Sequence, residues 1–264
     1  MKKHIVKISG LFNQYKTPIL YTGGSFTKSI AQLLVGFVIA KFISPNDLGI
    51  WNTVTLVLTY SVFLQAGLLN GFNLELPAAL GRGEQERANA MAGTALTLTV
   101  FTSLITFVIG LLVFFFTTHD DDKVKYGILA VTFLVAISYY QSYLTSTFRS
   151  NSSFLRLSLL QIIEAVINLA TLVLVIYYAY YGMIFKIVLV TLISLVLLHL
   201  YRPIKVGLLW NKKELVNMFK IGLPIFGLAY LETFASTVDK LFLIKYSDMT
   251  NVGLYSFEIG RAHV

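Results

Sequence analysis

The chain has 264 residues, of which 56% are hydrophobic and 13% charged, with a net charge of +8. A soluble domain carries about 25% charged residues, so this composition excludes a soluble globular fold, and the apolar runs are too many and too long for one. The absence of cysteine excludes disulfides and thiolate metal sites, and the basic residues lie mostly in short links between apolar runs, which argues against a nucleic-acid partner.

Residues 1–18 are basic and place Ile5, Ile8, Phe12 and Tyr15 at helical spacing. Two readings stand: an amphipathic helix on the inner membrane surface, or a frayed basic tail. No short apolar region with a small-residue cleavage site follows, so a cleaved signal peptide is not expected. Seven apolar spans come next, at 19–43, 48–72, 90–116, 126–148, 157–181, 183–201 and 221–245, and an eighth begins near Val252. Each is close to the ~20 residues that carry a helix across a ~30 Å hydrocarbon core. Ser44-Pro45-Asn46-Asp47 closes the first span, residues 73–89 form a polar link, and a tight turn at Gly182 joins the fifth span to the sixth. Residues 202–219 form a basic cytoplasmic link with an amphipathic piece at 212–219.

The stretch 220–255 repeats the first hairpin. At an offset of 204 residues Gly23 falls on Gly227, Ala31 on Ala235, Lys41 on Lys245, Gly49 on Gly253 and Trp51 on Tyr255. The expected fold is therefore all-α: a polytopic membrane helical bundle with a first six-helix lobe (19–201) and the start of a second, pseudo-symmetric lobe (220–258). With the N-terminus inside, the inner segments hold thirteen Lys and Arg against five on the outer side. The positive-inside rule then places the N-terminus in the cytoplasm.

Nothing points to catalysis. There is no Gly-rich loop ending in Gly-Lys-Ser or Gly-Lys-Thr, no HExxH, and no outer link long enough for an enzyme domain. The acidic run Asp120-Asp121-Asp122 reads as a solvated loop rather than a metal site, and no cofactor is expected.

Charge inside a membrane helix costs roughly 2.5–3.5 kcal/mol on insertion scales and usually turns inward. Lys28 lies near the middle of the first span, with Gln32 one turn on. It either lines a cavity or snorkels to the inner headgroups. Glu164 shares one helix face with Gln161 and Asn168, a polar stripe that faces protein or water. It either serves function or hydrogen-bonds a neighbouring helix. Glu232 and Asp239 share a face of the seventh span, with Lys240 beside them. At the repeat offset Lys28 falls on Glu232, so the two are expected to face each other across a central cavity. Burial raises a carboxyl pKa, so Glu164, Glu232 or Asp239 is a candidate for coupling to H⁺ or Na⁺.

Three sets of residues carry a family resemblance. The first is Ser44-Pro45-Asn46-Asp47-Leu48-Gly49-Ile50-Trp51. The second is Gln65-Ala66-Gly67-Leu68-Leu69-Asn70-Gly71, followed by Glu75-Leu76-Pro77 and Leu80-Gly81-Arg82-Gly83. The third is Gly222-Leu223-Pro224 with Asp239-Lys240-Leu241-Phe242-Leu243 and Gly253-Leu254-Tyr255-Ser256. Together they resemble the polysaccharide (O-antigen type) flippases of the multidrug/oligosaccharidyl-lipid/polysaccharide exporter superfamily. The resemblance implies two helical bundles around a solvated cavity in the bacterial cytoplasmic membrane. It implies a monomer surrounded by membrane lipids that moves undecaprenyl-pyrophosphate-linked oligosaccharide to the outer leaflet. Lys28 is then expected at the pyrophosphate, and Gln32, Gln65, Asn70, Tyr139 and Gln141 at the glycan, while the aromatic set Tyr139, Tyr140 and Tyr143 reads rather as packing and interfacial belt.

Other functions remain in view: a proton- or sodium-coupled drug antiporter, a membrane glycan polymerase or ligase, and a non-transporting scaffold. Residues 259–264 can be back-translated to ATC GGA AGA GCA CAC GTC, which resembles a common sequencing adapter read in frame. The tail is therefore expected to be read-through, with the true gene continuing, and the fragment alone is expected not to transport.

Overall fold

A computed structural model describes the backbone of residues 2–117 and 121–262, and side chains over 22–61, 63–117 and 121–256. The side chains of the basic N-terminus and of 259–264 lie outside that set, as do His119 and Asp120. Every described element is helical: α1 (Lys2–Phe42), α2 (Pro45–Ser61), α3 (Leu68–Gly81), α4 (Gln85–Phe116), α5 (Asp122–Ser150), α6 (Phe154–Ala170), α7 (Leu172–Leu200), α8 (Lys212–Tyr246) and α9 (Met249–Ala262). Among the described residues, six stretches are long and apolar enough to cross a membrane: Thr22–Phe42, Pro45–Gln65, Gln85–Phe116, Asp122–Ser150, Leu172–Leu200 and Lys212–Tyr246. The protein is an all-α, multi-pass membrane bundle.

Two expectations from the sequence need correction. The run 48–72 is not one rod. After α2 the chain tightens into a 3₁₀ turn (Val62–Gln65) and breaks at Ala66 and Gly67, whose φ angles are 42° and 81°. It restarts as α3, so most of the expected polar link is helix. Glycine is required at 67 twice over. Its φ is left-handed, and a Cβ there would press on the Gly222 carbonyl of α8.

The second correction concerns the reversal between the fifth and sixth spans. It falls at Ala179 (φ 46°, ψ −121°), a non-helical residue inside α7, and not at Gly182. Thr171 stays right-handed (φ −76°, ψ −1°), so α6 and residues 172–178 continue as the fifth span, and residues 180–200 return as the sixth. Gly182 serves the close approach of the two arms, because a Cβ there would overlap the Leu174 carbonyl.

The repeat is visible as geometry. Ser44 Oγ accepts the Asp47 N–H at the start of α2 (3.2 Å), and at the equivalent place Asp248 Oδ1 accepts the Asn251 N–H at the start of α9 (2.8 Å). The two helices then cross through their glycines. A Cβ on Gly49 would overlap the Met249 carbonyl, and a Cβ on Gly253 would overlap the Pro45 carbonyl. The offset that carries Gly49 to Gly253 also carries Pro45 to Met249, so each half of the contact is the image of the other. That is the signature of a twofold, isologous contact, here within one chain.

The main apolar core gathers Phe72 and Leu76 of α3, Met91 of α4, Tyr143 and Phe148 of α5, and Met218 of α8. It ties α8 to the first lobe.

Adding a methyl at Gly49 or Gly253 forces the α2–α9 crossing apart, and overpacking of this kind costs about 1–3 kcal/mol. Gly49→Ala and Gly253→Ala are each expected to lower the thermal unfolding midpoint of the purified chain in detergent, while Gly36→Ala, which meets open space, leaves it unchanged. Equal midpoints for all three would contradict the crossing.

Candidate functional site

The candidate site is built on α6. Its sequence spacing puts Gln161, Glu164 and Asn168 on one face, and in the bilayer such groups must find partners. They find them on two neighbours. α1 runs parallel to α6, brought close where Gly24 sits against the Ser158 side chain. Ser25 Oγ donates to Gln161 Oε1 (3.2 Å), and one turn on Lys28 Nζ meets Glu164 Oε1 at 2.8 Å. The returning arm of α7 closes the other side. Ser194 Oγ donates to Glu164 Oε2 (3.1 Å), and Lys186 Nζ donates to Asn168 Oδ1. The result is a polar spine through three helices.

Charge on the spine is uneven. Glu164 is its one carboxylate, held between Lys28 and a hydroxyl. Lys28 and Glu164 keep 32% and 23% of their side-chain surface exposed. Lys186 is 2% exposed and sealed inside. The sequence reading counted Lys186 among outer helix ends. Its position seven residues beyond the reversal is what buries it, and the reversal point was the missing signal.

The other candidate residues are placed as follows. Gln32 is exposed on α1. Gln65 is 5% exposed at the break after α2, and its Nε2 has no partner among the described atoms. Asn70 is half-buried at the start of α3. Tyr139 is 2% exposed and its hydroxyl donates to the Ser61 carbonyl (2.6 Å), next to that break. Gln141 donates to the Thr191 carbonyl of α7 (3.0 Å). Both side chains therefore brace helices. Glu232 is exposed on α8, and the partner of Lys28 is Glu164. Asp239 accepts the Tyr255 hydroxyl of α9 and the Lys240 N–H. The half-buried Lys240 makes no ion pair among the described residues.

Each end of the bundle is tied by an ion pair that joins separate elements. At one end Lys123 of α5 meets Asp47 of α2 at 2.6 Å, and Tyr180 donates to the Lys123 carbonyl (2.9 Å). At the other end Arg87 of α4 touches three carboxylates: Glu75 of α3 (2.9 Å), Glu84 (3.1 Å) and Glu214 of α8 (3.2 Å). Asn217 of α8 donates to Glu75 as well (3.2 Å). Hydrogen bonds from Arg82 and then Arg87 hold the Glu84 carboxyl below its ordinary range.

A family model described as "Polysaccharide biosynthesis protein" matches residues 38–260, which covers both α2 and its repeat image α9. The chain belongs to the polysaccharide biosynthesis protein family. No curated protein and no solved structure matches it. The matched region takes in the spine residues of α6 and α7, both end clusters and the α2–α9 crossing. Lys28 lies ahead of it.

Two outcomes follow for this family member. Lys28→Glu and Glu164→Lys each place like charges together and are expected to lower the melting midpoint, and the double exchange is expected to recover most of the loss. Interhelical polar contacts in membranes are worth about 0.5–2 kcal/mol each, so a double variant no better than the sum of the singles would show that the pair is not coupled. At the other cluster, the folded pKa of Glu84 lies below its unfolded value, so its contribution is fully present above the ordinary value of 4.5. It is lost as pH falls through the depressed value. Glu75 and Glu214 also face Arg87, so Glu84→Gln is expected to flatten the acid limb of melting midpoint against pH without abolishing it.

Proposed function

We propose that the protein moves an undecaprenyl-pyrophosphate-linked oligosaccharide from the cytoplasmic to the outer leaflet of the bacterial cytoplasmic membrane by alternating access, without covalent chemistry. The observation that carries this reading is the half-exposed Lys28–Glu164 pair inside the membrane span of a polysaccharide biosynthesis family member. A pyrophosphate brings multiple anionic oxygens, which an ammonium satisfies as a point charge. In the structure Glu164 neutralises Lys28. An arriving pyrophosphate competes for Lys28 and leaves Glu164 to its Ser194 hydrogen bond. Lys28 then has an anionic partner in both states, which offsets its own desolvation.

The basic cluster end, with Arg87, Arg149, Arg202 and Lys212, is the cytoplasmic side in this reading, in keeping with the positive-inside rule. Alternating access then requires the Arg87 cluster to open toward the cytoplasm and the Asp47–Lys123 pair to open toward the outside. A cation-exporting antiporter fits less well, because the spine holds two lysines and one carboxylate.

The test is made at the native locus. Lys28→Ala in the chromosomal gene is expected to deplete surface polysaccharide and to accumulate its lipid-linked precursor in the inner leaflet, with Lys28→Arg retaining part of the function. Normal surface polysaccharide in Lys28→Ala cells would overturn the proposal, as would loss of drug resistance without any change in polysaccharide.

A further inference from the structure

One groove lies away from the spine, at the end of the bundle that carries the Arg87 cluster. It has a volume of about 730 Å³ and opens between the second half of α3 and the turn from α5 to α6. Asn73, Pro77 and Gly81 recur every four residues and line it from one face of α3. The opposite wall is Arg149, Ser150, Asn151 and Ser152, with Phe154 at the first position of α6.

The chemistry of that wall is cationic and hydrogen-bonding. Arg149 is exposed, and no carboxylate among the described residues pairs with it. Of the acidic residues at this end, Glu75, Glu84 and Glu214 are engaged by Arg82 or Arg87, while Glu86 in the first turn of α4 makes no ion pair among the described residues. Ser150 is 8% exposed, and its Oγ has no hydrogen-bond partner among the described atoms, an uncommon state for a buried hydroxyl. Ser152 holds a left-handed φ of 54°, which folds the turn back so that the Ser153 N–H reaches the Phe148 carbonyl (2.9 Å), and the Ser152 N–H is already spent on the Arg149 carbonyl (3.1 Å). The backbone is thereby spent internally, and recognition is left to the side chains. The N-terminus of α6 borders the groove and adds the positive end of a helix dipole.

We propose that this groove binds a phosphate group, with Arg149 as its charged contact and Asn151 and Asn73 as hydrogen-bonding neighbours. Guanidinium pairs with phosphate through two parallel hydrogen bonds, and a volume of about 730 Å³ has room for a multi-oxygen anion. The apolar side, Pro77, Leu80 and Phe154, matches a phosphate that arrives on a lipid. A free phosphate would use the same polar wall. The proposal does not depend on the transport reading, since the groove shares no residue with the Lys28–Glu164 spine.

Binding is measured on the full chain in two arms. In one, the chain sits in phosphatidylcholine nanodiscs with added phosphatidylglycerol, and lipid retention is read by native mass spectrometry. In the other, inorganic pyrophosphate is titrated calorimetrically into the detergent-solubilised chain. Arg149→Gln is expected to weaken binding about ten-fold or more, the scale of one lost charge-assisted hydrogen bond. Asn151→Asp, which adds a negative charge to the same wall, is expected to weaken it too. Arg156→Gln, an exposed basic change outside the groove, is expected to leave it unchanged. A response confined to phosphatidylglycerol assigns the group to a lipid headgroup, and one to pyrophosphate alone assigns it to a free phosphate. The proposal is overturned if neither wall variant weakens either arm, or if Arg156→Gln weakens binding as much as Arg149→Gln. Arg149 and Asn151 are exposed, so both variants are expected to fold, which unchanged circular dichroism confirms.

Discussion

A polar group inside a bilayer has no water to fall back on, and α6 carries three of them in a row. Gln161, Glu164 and Asn168 can stay there only because α1 and α7 bring Ser25, Lys28, Ser194 and Lys186 against them. The packing of the first lobe follows from that demand. α1 lies parallel to α6 in the register that pairs 25 with 161 and 28 with 164. The sixth span returns antiparallel in the register that sets 194 beside 164. Either helix shifted by one turn would strand a charge in hydrocarbon, a cost of several kcal/mol that few apolar contacts offset.

Where polar pairing is absent, close approach takes over. Lipid chains are as apolar as leucine, so small residues that let backbones meet provide much of the attraction between helices. Gly49 against the Met249 carbonyl, its image Gly253 against the Pro45 carbonyl, and Gly67 against Gly222 are three such points. The first two make a crossing with its own internal twofold. The third lets α8 reach the break between α2 and α3, where Phe63 packs its ring near Phe226 and Tyr230 (centroids 6.0 and 5.4 Å). These contacts join the repeat to the first lobe without charge, leaving charge for the ends.

The ends hold by ion pairs, and ion pairs near water are easily exchanged. Arg87 with its three carboxylates and Lys123 with Asp47 join separate helices at opposite ends of one bundle, with the Lys28–Glu164 spine between them.

Much of the fold was legible in the chain. Composition and run length gave the membrane class, since a helix must be about as long as the bilayer is thick. The 204-residue repeat anticipated the α2–α9 pair, because equivalent residues cap both helices and both glycines serve the same crossing. The shared face of Gln161, Glu164 and Asn168 was visible from helical period alone. Partners were not. Lys28 was matched in sequence with Glu232, yet it meets Glu164, because the choice of neighbour is made by helix packing over 136 residues of chain. Tyr139 read rather as packing than as a glycan contact and does bond the Ser61 carbonyl, while Gln141, expected at the glycan, bonds the Thr191 carbonyl. The breaks at Ala66 and Ala179 were also hidden. Both fall on alanine, a good helix former, and only tertiary contact with α8 and with the facing arm makes a left-handed φ tolerable there. Sequence settled which residues must be paired or buried, and the tertiary structure settled with whom, since pairing depends on distances that local propensity does not encode.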